Sequence, residues 1–191
     1  MAAKKESSFF NMVSTLLIVT LTAGITLGAV FILTEDPIEK AKKQKQEKAI
    51  KAVLDDFDRI ESKNIKSAYD ENQDLVFNVA YKGDQFVGVA IETFTNNGFG
   101  GTIKLMIGLS PDGTINNISV LEHKETPGLG DKMEKSKSDW SEQFNGKKGK
   151  VALKKNGGEI DAITAATISS NAFIDAVNRA IETFEQNKGG I

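Results

Sequence analysis

The chain has 191 residues, which is enough for one membrane-spanning segment followed by a single domain with its own core. Its net charge is −2, with lysines and acidic residues interspersed, so the composition gives no reason to expect a nucleic-acid partner. The absence of cysteine excludes disulfides and cysteine-ligated iron–sulfur or zinc sites, and the single histidine, His123, excludes a bis-histidine haem within this chain. Any redox chemistry must therefore come from an organic cofactor or from another subunit.

The first element in chain order is an apolar segment without a charged residue from Ser7 to Thr34. Its central part, residues 12–34, is long enough to cross a bilayer with some tilt. A cleaved signal peptide is the alternative, but its apolar region is only about 7–15 residues long and ends in a small-residue cleavage motif. We therefore predict an N-terminal tail over residues 1–11 and an uncleaved transmembrane helix over 12–34.

The residues alone leave the orientation of this helix open. Lys4 and Lys5 precede it, but the positive-inside rule counts lysines rather than net charge, and several more follow closely: Lys40, Lys42, Lys43, Lys45 and Lys48. Within the span, Thr20, Gly24 and Gly28 recur every four residues, a spacing typical of close helix packing, although glycine is also common in membrane helices generally. We favour a packing face and expect membrane subunits as partners.

A membrane-proximal helical segment is predicted over residues 35–68. Asp36 is a suitable N-cap and Pro37 suits a first helical turn. The lysines that follow form a solvated face, with attraction to anionic lipid as an alternative. Farther on, an apolar face follows helical spacing: Ile50, Val53, Leu54 and Phe57.

From about Leu75 the apolar period changes to two, which predicts β-strands. Alternating segments run over residues 75–81, 86–91, 103–109 and 115–122, and a Pro-Asp-Gly turn at 111–113 separates the last two. Helices are predicted over 132–144 and 170–187, with a short strand over 149–154. Consecutive hairpins with helices at the ends indicate an α+β domain, an antiparallel β-sheet packed with helices, over residues 69–191.

The segment 161–170, Asp-Ala-Ile-Thr-Ala-Ala-Thr-Ile-Ser-Ser, leads into the last predicted helix. Hydroxyl residues before an apolar helical pattern are usually N-caps. The same small side chains at the positive end of a helix also suit a phosphate, because free backbone N–H groups and the helix dipole favour negative charge there. Both interpretations stand on the residues alone.

Two glycine-containing segments are further candidates. Residues 125–130 read Glu-Thr-Pro-Gly-Leu-Gly and could simply end a strand in a turn. As part of a site, Gly128 and Gly130 would let backbone amides approach a flat ring, while Glu125 and Thr126 could form hydrogen bonds to it. Residues 98–101, Gly-Phe-Gly-Gly, are weak evidence by themselves. His123 is predicted to be an exposed strand residue.

Together these three segments resemble the FMN-binding domain family, which includes the G subunit of the Rnf electron-transport complex and the C subunit of the sodium-pumping NADH:quinone reductase. In that family a flavin transferase attaches FMN through its phosphate to the last threonine of a Ser/Thr-Gly-Ala-Thr core. The resemblance places this bond at Thr167 and departs from the usual pattern at Ala165, where glycine is common. The cofactor-binding residues that it implies are Asp161, Thr164, Ala165, Ala166, Thr167, Ile168, Ser169, Glu125, Thr126, Gly128, Leu129, Gly130, Phe99 and Gly100.

The resemblance implies a membrane-anchored flavoprotein subunit that relays electrons in an ion-translocating ferredoxin:NAD oxidoreductase and has no complete active site of its own. It also implies a cytoplasmic tail, an extracytoplasmic domain, an inner-membrane location, and the lipid bilayer, other redox subunits and a flavin transferase as partners. The alternatives are the C subunit of the quinone reductase, a structural or assembly subunit without cofactor, and a flavin-bearing sensory anchor.

Overall fold

The computed structural model describes residues 8–190, with the backbone alone at Glu71. Lys4, Lys5 and most of the predicted N-terminal tail lie outside the described residues. Two compact units are distinguished, one ending at Gln44 and the other beginning at Lys45. The main elements are α1 (Phe9–Val53), β1 (Arg59–Ser67), β2 (Asp70–Lys82), β3 (Gln85–Gly98), β4 (Gly101–Leu109), β5 (Ile115–Glu122) and α2 (Thr167–Asn187).

Helix α1 is long and apolar enough to cross a membrane by length and composition. The threonine hydroxyls of its apolar part each bond to a backbone carbonyl one turn earlier, so these polar groups are satisfied within the helix. These residues are Thr15, Thr20, Thr22, Thr26 and Thr34.

The predicted helix start at Asp36 and Pro37 is wrong, because α1 is continuous and Pro37 lies inside it. A proline removes one backbone hydrogen bond, but good helix formers such as Glu39, Lys40 and Ala41 follow it and carry the helix onward. The prediction of helix through residue 68 is also wrong. Helix α1 ends at Val53, and residues 59–67 form β1. This edge strand is mostly polar and lacks a clear period-two pattern in the sequence.

The second unit contains a five-stranded antiparallel sheet in the order β1-β2-β3-β4-β5. Val53, the last residue of α1, and Leu54, which follows it, pack on one face of the sheet against Ala90 and Met106. The larger core lies on the other face, where α2 buries the apolar stripe that the sequence predicts: Phe173, Ala176, Val177, Ala180, Ile181 and Phe184. The predicted α+β class, with one apolar helix followed by an antiparallel sheet domain, is confirmed.

The helix predicted over 132–144 is replaced by two short 3-10 helices, Gly130–Met133 and Trp140–Phe144. Between them the Ser138 hydroxyl donates to the Lys132 carbonyl and accepts from the Trp140 amide, and such local bonds compete with helix. The strand predicted over 149–154 is also absent from the described structure, where Leu153 forms only an isolated bridge to Ile160. The side chain of Asn178 binds both the N–H and the C=O of Val151 and takes the place of a neighbouring strand.

Candidate functional site

A pocket of about 330 Å³ lies where three segments of the second unit meet. These segments are the turn between β3 and β4, the loop that follows β5, and the N-terminus of α2. The lining residues are Phe99, Glu125, Thr126, Leu129, Gly130, Ala165, Ala166, Thr167, Ile168 and Ser169. Antiparallel pairing of β3, β4 and β5 brings the first two segments to one end of the sheet, and packing of α2 on the same sheet adds the third.

All of these lining residues belong to the set predicted from the sequence. Four other predicted residues, Asp161, Thr164, Gly100 and Gly128, are outside the lining. Asp161 forms an exposed ion pair with Lys154 at 2.7 Å, and Thr164 is exposed. The structure therefore assembles the predicted segments in one place, while their role in binding FMN stays a prediction.

The N-terminus of α2 has no side-chain cap among the described residues. Its N-cap position is Ala166, which has no hydroxyl, and no side-chain cap bond is made there. The first N–H groups of a helix have no partner within the helix, so those at the start of α2 are available to a ligand. Thr167 is the first residue of α2, half-buried on the pocket wall.

The backbone just before this helix is held in an unusual conformation. Ala165 has φ 61°, the one positive value among non-glycine residues in the described part of the chain. The Ser170 hydroxyl fixes the same turn, because it accepts from the Ile163 amide at 2.9 Å and donates to the Ala166 carbonyl at 2.9 Å. The left-handed backbone explains why glycine suits position 165, since a Cβ is strained there.

Glu125 is buried, and both of its carboxylate oxygens bind protein donors. Oε1 accepts from the Gly100 amide at 3.0 Å, and Oε2 accepts from the Ser169 hydroxyl at 2.5 Å. We expected this side chain to form hydrogen bonds to a flavin or its ribityl chain. In the structure it joins the β3–β4 turn, its own loop and the first turn of α2, and its contact with a flavin stays a prediction.

The glycines of the site allow this close packing. A Cβ on Gly130 would lie 2.7 Å from both Glu125 Oε2 and Ser169 Oγ, and one on Gly100 would lie 1.9 Å from the Lys124 carbonyl oxygen. Gly128 differs, because it has φ +77° and open space where its Cβ would be. Gly128 therefore serves the turn, whereas Gly100 and Gly130 let the walls of the pocket meet.

His123 was not predicted to take part in the site, and its prediction as an exposed residue is wrong. Its side chain is 12% exposed, and its Nε2 lies 3.0 Å from Glu134 Oε1. Its Nδ1 accepts the backbone N–H of Glu125 at 3.0 Å. The contact with Glu134 joins residues 11 positions apart in an irregular loop, so no periodicity in the sequence could have indicated it.

The rim of the pocket is apolar. Phe99 is 69% exposed, Ile168 56% and Leu129 39%. Beyond α1, the only other exposed large apolar side chain among the described residues is Tyr69. No group of three or more metal-ligating side chains occurs in the described part of the chain. The site thus combines free helix amides, a hydroxyl and exposed apolar surface, which suits an organic anion with a flat apolar part.

Comparison with known families agrees with this description. Residues 98–182 match the FMN-binding domain, and the match includes every residue of the pocket. The fold and site therefore define an FMN-binding α+β domain that follows an apolar helix.

Comparison with known proteins extends the match over most of the chain. It is 31% identical to the G subunit of the ion-translocating oxidoreductase complex of Shewanella baltica over 190 residues, 91% of this chain and 90% of the relative. With the subunit of the same name from Pasteurella multocida the identity is 33% over 192 residues, 94% of each chain. The chain belongs to the family of G subunits of ion-translocating oxidoreductase complexes.

Two other relatives match over a shorter part of the chain but with a higher sequence identity. The chain is 47% identical to the corresponding G subunit of Erwinia tasmaniensis over 107 residues and 42% identical to that of Shewanella piezotolerans over 122 residues. These two matches cover 51% and 58% of the relatives' own lengths, so the chain spans little more than half of each in these alignments.

Proposed function

We propose that this chain is a membrane-anchored electron-carrying subunit of an ion-translocating, ferredoxin:NAD-type oxidoreductase complex, with FMN joined through its phosphate to Thr167. The observation that carries the proposal is the position of Thr167, on the wall of the pocket and at the uncapped start of α2. A hydroxyl at this place can be esterified while the phosphate oxygens remain beside free amides.

The start of α2 fits a phosphate in two ways. Its first N–H groups lack helical partners, and the helix dipole favours a negative charge at this end. The small side chains of Ala165 and Ala166 leave the backbone accessible, and both line the pocket. In the covalent step, the flavin transferase would use an FMN unit joined to a second nucleotide through a pyrophosphate. The Thr167 Oγ–P bond forms, the P–O bond to the second nucleotide's phosphate breaks, and that nucleotide monophosphate leaves as the hydroxyl proton is released.

The apolar rim fits the flat ring of a flavin. Phe99, Leu129 and Ile168 come from the three segments that meet at the pocket, and each exposes apolar surface. Burial of apolar area there would contribute about 25 cal/mol per Å². When bound, FMN would supply reversible one- and two-electron transfer, and the chain has no cysteine that could offer a thiol–disulfide couple in its place. The chain's own residues bind and orient the ring, so the subunit has no complete active site of its own.

A covalent bond also has a physical advantage for a flavoprotein outside the cytoplasm. Even a nanomolar cofactor, held by about 12 kcal/mol, is eventually lost to a compartment that contains no free flavin. We place the domain on the extracytoplasmic side of the inner membrane, with α1 as the anchor in the lipid bilayer and residues 1–11 in the cytoplasm. Other membrane and redox subunits of the complex are the electron donor and acceptor.

The test is the intact mass of the full chain after co-expression with a flavin transferase. We expect one FMN-sized increment in the wild type and none in Thr167→Ala. Thr102→Ala is the matched control, because Thr102 is an exposed threonine outside both the pocket lining and the predicted cofactor-binding residues, and this variant should keep the increment. A colourless wild type without the increment would support a cofactor-free structural subunit, and an increment that persists in Thr167→Ala would move the attachment elsewhere.

A further inference from the structure

The residues that hold Glu125 form a hydrogen-bonded series that reaches from the pocket to the surface. Glu125 bonds to Ser169 and to the Gly100 amide, the Glu125 amide bonds to His123, and His123 bonds to Glu134. Of these residues, only Glu125 and Ser169 line the pocket. The outer two have no part in the function proposed above.

The sheet does not hold Glu125 in place. Strand β5 ends at Glu122, and the last register pair of β4 with β5 joins Lys104 to Glu122. The Glu125 amide instead donates to the ring of His123, two residues earlier. This bond to the ring nitrogen therefore helps to fix the backbone from which the Glu125 carboxylate reaches two other walls of the pocket.

The Glu125 amide requires one tautomer of the His123 ring, and Glu134 is placed to stabilise that tautomer. A backbone N–H can only donate, so Nδ1 must be the unprotonated nitrogen that accepts from Glu125. The ring hydrogen then resides on Nε2, which lies 3.0 Å from Glu134 Oε1 and donates to it. Glu134 is in turn held by the Ser136 hydroxyl on its other oxygen, at 3.1 Å.

The series cannot conduct protons from the surface to the pocket. His123 contacts Glu125 through a backbone amide and not through its carboxylate. An amide N–H that donates to Nδ1 offers no exchangeable route onward to the side-chain oxygens. The remaining role is mechanical.

We propose that His123 is a positioning residue of the flavin pocket, acting through Glu125, and that Glu134 maintains the tautomer that this requires. The consequence for a bound flavin rests on the proposed function. Loss of the Nδ1 acceptor should free the Glu125 backbone, loosen the three walls at once and change the environment of the ring.

The first test needs no variant. Because the chain has one histidine, ¹⁵N-histidine labelling of the full chain, purified in detergent without a histidine tag, gives the signals of a single imidazole. We expect the Nε2–H tautomer at neutral pH, with Nδ1 unprotonated. A ring protonated at Nδ1, or one that averages between both tautomers, would overturn the proposal.

A matched pair of variants separates the two ring nitrogens. In His123→Asn the side-chain oxygen takes the place of Nδ1 and can accept an amide two residues on, as in an Asx-turn. In His123→Gln the amide group can still reach Glu134, but the acceptor at the Nδ1 position is gone. We expect the Glu125 amide to exchange with solvent about fivefold faster or more in His123→Gln, and within about twofold of the wild-type rate in His123→Asn.

The same pair is compared with FMN attached. The visible circular dichroism of the flavin should match the wild type in His123→Asn and change in His123→Gln, and equal behaviour of the two variants would contradict the proposal. If neither variant folds, the tautomer of the wild-type ring decides. A wild type without the FMN mass increment would refute the proposed function, whereas exchange at Glu125 would still decide the positioning role.

Discussion

The carboxylate of Glu125 accepts a hydrogen bond from the hydroxyl of Ser169 at 2.5 Å, across 44 residues of sequence. Both residues are buried, with 5% and 2% of their surface exposed. This bond joins the loop after β5 to the first turn of α2, and the second carboxylate oxygen adds the β3–β4 turn. The shape of the pocket therefore depends on the Glu125 side chain, because both of its carboxylate oxygens bind donors in other walls of the pocket.

The first prediction concerns this side chain. Glu125→Ala leaves the Gly100 amide without its acceptor, and we expect the free energy of unfolding to fall by about 1–3 kcal/mol. Glu125→Gln can still accept from that amide and donate to the Ser169 oxygen, so its loss should stay below about 1 kcal/mol. Urea unfolding followed by Trp140 fluorescence measures the unfolding free energy of both variants. Trp140 is the only tryptophan, and its ring centroid lies 5.1 Å from that of Phe173 in the core. Equal losses of stability in the two variants would show that the negative charge of Glu125, which both variants remove, stabilises the fold and that its hydrogen-bonding pattern does not.

A second prediction follows from the left-handed backbone at Ala165, with φ 61°. Ala165→Gly should raise the free energy of unfolding by about 0.5–1 kcal/mol, because relief of Cβ strain outweighs the added entropy of the unfolded chain. Ala166→Gly is the control, since Ala166 has φ −133° and a buried methyl group, and it should lower stability by about 1 kcal/mol. Thermal unfolding by circular dichroism gives the comparison. Destabilisation by Ala165→Gly would be inconsistent with strain at this position.

Close contact of the pocket walls gives a third prediction. A Cβ on Gly100 would lie 2.4 Å from the Lys124 carbonyl carbon as well as 1.9 Å from its oxygen, so Gly100→Ala must move backbone. We expect a loss of about 3 kcal/mol or more. Gly128→Ala meets no atom within 4 Å but has a φ of +77°, and should cost only about 1–2 kcal/mol. Similar midpoints of urea unfolding for the two variants would contradict the expectation that a Cβ clashes at Gly100 and is accommodated at Gly128.

The fourth prediction concerns pH and a residue away from the pocket. Although Tyr69 is 38% exposed, partial desolvation of its hydroxyl, together with a hydrogen bond to Glu182 at 3.1 Å, raises the pKa of Tyr69 to about 12. Since this folded pKa is above the ordinary tyrosine value of 10.0, the contribution of Tyr69 to stability is present below pH 10 and is lost as the pH rises towards 12. Tyr69→Phe should therefore reduce the fall in stability across this alkaline range.

Direct titration checks the same pKa. The chain has two tyrosines, so in Tyr81→Phe the tyrosinate absorbance reports Tyr69 alone. The midpoint should lie near pH 12, and a midpoint near pH 10 would remove the basis of the stability prediction.

The sequence determined the features that depend on local pattern and composition. Period-two alternation predicted strands around Phe77, Ile91 and Ile107, and helical spacing predicted the buried stripe of α2, because one face of each element must be apolar to build a core. The resemblance to the FMN-binding family, and not local pattern, indicated the three segments that form one pocket. Prediction from the sequence failed where local signals were weak or overridden, as at Pro37, which α1 tolerates, and in the polar edge strand β1.

Only the tertiary structure decided how those segments act on one another. The sequence offered Glu125 as a flavin-binding residue, and the structure adds that its buried carboxylate accepts from the Gly100 amide and the Ser169 hydroxyl, since buried polar groups need hydrogen-bond partners. His123 likewise gained its partner Glu134 through the path of an irregular loop. Hydrogen bonds between residues distant in sequence depend on the path of the whole chain. Packing of the whole core sets this path. The residues that it brings together therefore show no periodic pattern in the sequence.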